Sequence, residues 1–205
     1  IFGIMNNQTL LAVPLFVFMG VVLEKSKIAE ELLISISQLF SRFRGGLAIA
    51  VVIVGALLAA STGIVGATVV TMGLLSLPAM LKQKYNPSIA CGSICAVGTL
   101  GQIIPPSIAL VLLGDVISNA FQQSQLDMGI FSPETVSVGD LFVGAIVPGF
   151  LLVVLYLVYL LAVAWFKPEY LPAFDSKEKV KLGQLIKAVV PPILLIVIVL
   201  GSILA

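Results

Sequence analysis

Residues 45–84 read GGLAIAVVIVGALLAASTGIVGATVVTMGLLSLPAMLKQK, and their reading decides the fold. Between Arg44 and Lys82 no residue is charged, so the apolar run is about 37 residues long, whereas one membrane-spanning helix needs about 20. Two full spans plus a turn would need more. The middle of the run, Ala60-Ser61-Thr62-Gly63-Ile64-Val65-Gly66-Ala67-Thr68, is small, hydroxylated and glycine-bearing. The economical reading is a helix that enters the bilayer, turns near its middle and leaves by the side it entered. Basic residues at both ends place those ends on the cytoplasmic face. Backbone broken at membrane depth is tolerated where it is buried in protein or lines a wet cavity.

Composition agrees. The chain is 60% hydrophobic and 10% charged, against about 25% charged in a soluble domain. This is the profile of an integral membrane protein embedded in a lipid bilayer. A net charge of +1 without a basic stripe gives no reason to expect a nucleic-acid partner. The absence of histidine removes His-based catalysis, and no transition-metal site is expected. Cys91 and Cys95 are read as small packing residues on one helix face, since no further Cys or His could complete a site. No prosthetic cofactor is expected.

Working outward, residues 1–27 form a first membrane span. Residues 28–44 follow, with Ile28, Leu32, Leu33, Ile36, Leu39, Phe40 and Phe43 at helical spacing and polar residues between them. That is an amphipathic helix, read as a cytoplasmic interfacial arm. Residues 45–84 are the re-entrant hairpin. Residues 85–114 are again uncharged after Lys84 and are interrupted at Gly98-Thr99-Leu100-Gly101-Gln102-Ile103-Ile104-Pro105-Pro106-Ser107. Adjacent prolines remove two backbone donors and end the helix before them, while proline suits the first turn of a new one. A broken transmembrane helix is the result, its second half starting near Pro105. Residues 115–140 carry Asp115, Asp127, Glu134 and Asp140 but no Lys or Arg, and are read as an external loop. Residues 141–166 are a span, 167–187 a lysine-rich cytoplasmic loop, and 188–205 the start of another span. With these assignments every basic cluster falls on one face of the membrane.

The predicted fold class is therefore an all-α integral membrane protein with a re-entrant hairpin and a Pro-Pro-broken helix. Paired interruptions of this kind occur in ion-coupled secondary transporters, where half-helix ends and freed backbone groups meet near the midplane. Helix N-termini suit carboxylates, and unwound carbonyls suit a hard cation such as Na+. The candidate cation ligands are Ser61, Thr62, Gly63, Thr99, Gly101 and Ser107. Gly66, Thr68, Pro105 and Pro106 are the candidates to face the substrate. No acid lies in either interrupted element, so sodium held by neutral oxygens is expected in place of a proton relay. A channel with a re-entrant selectivity loop is the alternative. The second break at Pro105-Pro106 favours alternating access. A membrane enzyme lacks its nucleophile–base pair.

The run Arg44-Gly45-Gly46-Leu47-Ala48, the stretch Ala59 to Gly73, Leu77-Pro78-Ala79-Met80, Gly101-Gln102-Ile103-Ile104-Pro105-Pro106-Ser107 and Asp140-Leu141-Phe142-Val143-Gly144-Ala145-Ile146-Val147-Pro148-Gly149 together resemble the large membrane subunit of tripartite ATP-independent periplasmic (TRAP) transporters. The loop Ser118–Val138 and the Ser61-Thr62-Gly63 tip resemble the branch labelled for mannitol or chloroaromatic compounds. The resemblance implies an elevator-type, sodium-driven permease in the bacterial inner membrane that takes up a small organic acid. It further implies a periplasmic solute-binding protein and a small four-helix membrane subunit as partners. This chain would be roughly the first half of the transport machinery. The family's hairpin tip commonly reads Ser-Gly-Ser; here Thr62, Gly63 and Ile64 stand at those positions, without the second hydroxyl. Thr68 stands where the family often has Asp.

Overall fold

The computed structural model describes residues 8–26 and 28–173, together with 183, 189–194, 196–198 and 201. The start of the expected first span, most of the lysine-rich loop after Ala173, and the end of the last span lie outside the described residues. Within residues 8–173 seven helices follow one another: α1 (Gln8–Lys25), α2 (Ile28–Leu39), α3 (Gly46–Thr62), α4 (Val65–Lys82), α5 (Pro87–Thr99), α6 (Ile108–Asp127) and α7 (Val138–Phe166). Short 3-10 turns occupy Leu100–Gln102 and Pro168–Tyr170. Among the described residues no β-strand forms, and the fold is all-α; Arg44 and Ala173 make an isolated bridge. By length and composition, α4 and α7 are apolar enough to cross a membrane.

The centre of the molecule is α3. It is apolar on every side and almost every residue of it is buried, as expected of a helix with no polar face. Helices α1, α2, α4, α5 and α7 all pack on it. From α2 it receives Ala29, Leu32, Leu33 and Ile36, while Glu30 and Glu31 stay exposed. A Cβ at Gly55 would collide with Val97, and one at Gly98 with Val69, so α5 lies against both α3 and α4 at glycines. Small residues let helix backbones approach this closely. Cys91 and Cys95, expected to pack inside, lie instead on an exposed face of α5.

Each helix end has an identifiable stop. Gly45 takes a left-handed φ of 76° and has no side chain to cap α3. The Tyr85 hydroxyl does so in its place, accepting from the Leu47 N–H at 3.3 Å while 2% exposed. Asn86 caps α5 by accepting from Ser88 N–H at 2.9 Å, with Pro87 in the first turn. Ser137 and Asp140 form a reciprocal capping box on α7. The base of the α3–α4 pair is tied to the chain after α7, because Asn86 N–H donates to Tyr170 O at 3.0 Å.

The segment read as external loop is helical as far as Asp127. Its remainder is closed by Gln125, whose Nε2 donates to Glu134 O at 3.0 Å and whose Oε1 accepts from Glu134 N–H at 2.9 Å.

Tyr85→Phe leaves the Leu47 amide unpaired in a buried place, at a cost of about 1–2 kcal/mol. The melting midpoint of the detergent-solubilised protein is expected to fall by about 3–6 °C. Burial pushes the Tyr85 hydroxyl pKa up, partly offset by the Leu47 and Ala48 amides. The folded state thus holds its proton longer than the unfolded one. The sign is a loss of stability as pH rises past about 10, and this contribution should be missing from the Phe variant.

Candidate functional site

Where α3 ends, Gly63 adopts φ 61°, and its N–H still reaches Ala59 O at 3.1 Å. Ile64 is extended and α4 starts at Val65. A two-residue link of this kind reverses the chain, and Gly55 of α3 accordingly lies beside Met72 of α4. The tip hydroxyls are buried. Ser61 Oγ donates back to Leu57 O at 2.7 Å. Thr68 Oγ1 donates to Ile64 O at 2.9 Å, so in the 2.8 Å contact between the two threonines Thr62 supplies the proton. The Thr62–Thr68 pair thus staples the two arms just below the turn.

The break lies directly against this tip. Helix α5 stops at Thr99 and tightens into the Leu100–Gln102 turn. The N–H groups of Ile103 and Ile104 both converge on Leu100 O, at 2.9 and 2.8 Å. Pro105 and Pro106 follow, joined by a cis peptide bond and both buried. Ser107 then caps α6: its Oγ accepts from Leu110 N–H at 3.3 Å and donates to Gln102 O at 2.7 Å.

Three contacts join the two interruptions. A Cβ at Gly63 would lie 2.8 Å from Pro106 O. A Cβ at Gly101 would sit 3.5 Å from Ala59 O and 3.6 Å from Ile64 N, so the turn of the broken helix rests on the tip backbone. Gln102 Nε2 donates to Gly63 O at 2.8 Å, and its Oε1 accepts from Ala109 N–H at 3.1 Å. A third side is closed by α1, where a Cβ at Gly20 would come within 3.2 Å of Thr62 O. No Asp, Glu, Lys or Arg occurs in 45–81 or in 85–114. These two stretches therefore offer the site carbonyls, hydroxyls, the Gln102 carboxamide and helix-end N–H groups, and no fixed charge.

Of the residues singled out in the sequence, Thr62, Gly63, Thr68, Gly101, Pro106 and Ser107 belong to this network, with Ser61 one residue inside the tip. Pro105 is buried within the break. Thr99 is exposed, and its hydroxyl turns back to Ala96 O at 2.7 Å. Gly66 is exposed and faces open space. Gln102 was not singled out, although its side chain bridges hairpin and break. Its signal was modest: it is the only carboxamide in residues 88–114. A separate small apolar cleft of about 90 Å³ between α3, α5 and α7, lined by Val52, Ser93, Val97 and Tyr156 among others, contains no residue of the break.

Comparison with known proteins identifies the family of this chain. The family model of the tripartite ATP-independent periplasmic transporter, DctM component, matches residues 1–205. The C4-dicarboxylate TRAP transporter large permease protein DctM of Vibrio cholerae is 35% identical over 201 residues, covering 97% of this chain and 40% of that protein. Its Pseudomonas aeruginosa namesake is 32% identical over 203 residues, 99% of this chain and 43% of that protein. The ectoine/5-hydroxyectoine TRAP transporter large permease protein UehC of Ruegeria pomeroyi is 30% identical over 151 residues, 74% of this chain and 31% of that protein. The chain thus spans about two-fifths of the length of the first two relatives. A family match that runs from the first residue to the last, over a fold whose two helix breaks meet, makes this chain a member of the DctM component family of tripartite ATP-independent periplasmic transporters.

Proposed function

We propose that this chain supplies the first hairpin and the first broken helix of a sodium-coupled permease that imports a small organic acid across the bacterial inner membrane. The observation that carries the reading is the contact between two interrupted helices at a buried, uncharged tip, made by Gly63, Gln102 and Pro106. Uninterrupted helices packed for stability alone have no need of such a junction. Its freed carbonyls and the Thr62 hydroxyl are hard, neutral oxygens of the kind that hold Na+. The α6 N-terminus, close by, carries partial positive charge suited to a carboxylate. Cation and anion bound side by side strengthen one another, and that coupling is reciprocal.

A re-entrant hairpin is supported by the burial of its tip under α1 and the break, together with Arg42, Arg44, Lys82 and Lys84 at its open end. The charge pattern puts this end in the cytoplasm. Relatives named for C4-dicarboxylates and for sialic acid support an acid as cargo. Delivery by a periplasmic solute-binding protein and completion by a small four-helix membrane subunit follow from the family. Rigid-body movement of the hairpin unit past a fixed frame, an elevator, is the motion proposed for it.

The test uses the complete permease with its small subunit and binding protein in proteoliposomes. Uptake should require an inward sodium gradient. Uptake that persists unchanged when potassium replaces sodium removes sodium coupling. Thr62→Val deletes one oxygen at nearly constant shape. It is expected to raise the sodium concentration for half-maximal uptake about tenfold, equivalent to about 1.4 kcal/mol. An unchanged sodium titration would assign the Thr62 hydroxyl to packing.

A further inference from the structure

Gln102 sits at the end of the 3-10 turn, where its side chain joins hairpin and broken helix by hydrogen bonds. Its two partners come from different segments. Gly63 O belongs to the hairpin tip and Ala109 N–H to the first turn of α6. A carboxamide donates through one atom and accepts through the other at every ordinary pH without carrying a charge. Here both capacities are used at once, at 2.8 and 3.1 Å, and its own backbone carbonyl takes the Ser107 hydroxyl at 2.7 Å. Three separate pieces of chain are thereby fixed in register at one residue.

We propose that Gln102 is a positioning residue, a latch that holds the hairpin tip against the broken helix and sets the direction of the Gly63 carbonyl. The proposal rests on the reading of this junction as the site of ion-coupled transport, and deepens it. The latch must be neutral and bifunctional. A carboxylate at position 102 keeps the acceptor for Ala109 N–H but presents a second oxygen to Gly63 O, so the tip is pushed off. A protonated carboxyl restores the pair, because its O–H donates to Gly63 O while its carbonyl accepts from Ala109 N–H. Gln102→Glu should therefore behave as a latch that opens and closes with pH. The charged residues on the elements packed around position 102 are Glu24 and Lys25 on α1, Lys82 on α4, Asp115 and Asp127 on α6, and Asp140 on α7; residues 45–81 and 85–114 carry none. These groups are common to the variant and its parent, so the ratio of the two at each pH isolates residue 102.

The experiment uses the full-length permease with its small subunit and binding protein, with Cys91 and Cys95 replaced by serine. Two readouts are taken at pH 8 and at about pH 4.5, each as a ratio to the parent. The first is the rate at which a small maleimide labels a cysteine placed at Ile64 in the tip. The second is sodium-dependent uptake. With Gln102→Glu, labelling should be about tenfold faster than the parent at pH 8, matching about 1.4 kcal/mol of lost tip closure, and should return to within about twofold at about pH 4.5, close to the ordinary glutamate pKa of about 4.3. Uptake should fall and recover in parallel, with the sodium requirement raised at pH 8. Gln102→Leu should label fast at both pH values. A Glu variant with the same labelling ratio at both pH values overturns the latch, as does a Leu variant that labels like the parent. The labelling arm stands without any transport. If labelling follows the prediction while the parent moves no solute with sodium, the latch holds and the proposed function fails.

Discussion

Gly63→Ala is expected to cut uptake by about 100-fold while the protein still reaches the membrane. Residue 63 has φ 61°, a conformation that costs an L-residue roughly 1–2 kcal/mol. The new methyl would also lie 2.8 Å from Pro106 O. That oxygen is backbone, carried between a proline ring and the Ser107 cap, and cannot rotate aside. Crowding of this sort adds about 1–3 kcal/mol. Since each 1.4 kcal/mol is a factor of about ten, the two terms reach the stated loss if the closed junction is the working state. Gly73→Ala supplies the control: it lies inside α4, and a Cβ there meets nothing within 4 Å. Radiolabelled uptake at matched membrane levels reads both. Activity of the Gly63 variant within twofold of the parent would show that the tip reshapes without consequence.

The second large effect is on folding. Gly46 opens α3 directly beneath the end of α2, and a Cβ there would overlap the Phe40 carbonyl. That carbonyl is already held, since Phe43 N–H donates to it at 2.9 Å. Gly46→Ala must therefore move either the α2–α3 turn or the central helix, and α3 is packed on every side. A cost of about 3 kcal/mol or more is expected, seen as a several-fold drop in membrane-inserted protein and faster cleavage by added protease. Gly92→Ala on the open face of α5, where a Cβ meets nothing, should express like the parent. Equal yields for the two would remove the close approach of α2 and α3 as a determinant of the fold.

The hairpin was legible because two independent signals coincided. A run without charge gave its length, and Ser61-Thr62-Gly63 marked its turn; the chain reverses at Gly63 and Ile64. The break was legible from Pro105-Pro106, which withhold two donors. The new helix starts at Ile108, slightly later than Pro105, because the capping oxygen belongs to Ser107. Acidity at 115–140 did not mark the end of a helix, since Ser118, Asn119, Gln122 and Gln123 continue α6 to Asp127. The amphipathic pattern from Ile28 named the buried face of α2, though not that α3 would cover it. Site chemistry was less visible. A helix hydroxyl can satisfy itself on its own backbone, and Thr99 does so. Nothing in residue order distinguishes it from Thr62, whose partner is the hydroxyl of Thr68 across the turn. Gln102 was hidden for a stronger reason. Its value lies in partners 39 residues earlier and 7 later in the chain.

The absence of charge from residues 45–81 and 85–114, which build the junction, has an electrical consequence. Moving one elementary charge through a potential of 100 mV changes its energy by about 2.3 kcal/mol. Hairpin and broken helix bring no such charge of their own to the junction. In the proposed alternating-access cycle, an empty site built from them would pass through the membrane field without being driven or held by it. Loaded, it would respond according to the sum of its cargo alone, so that voltage acts on the ions carried and leaves these two elements of the carrier indifferent.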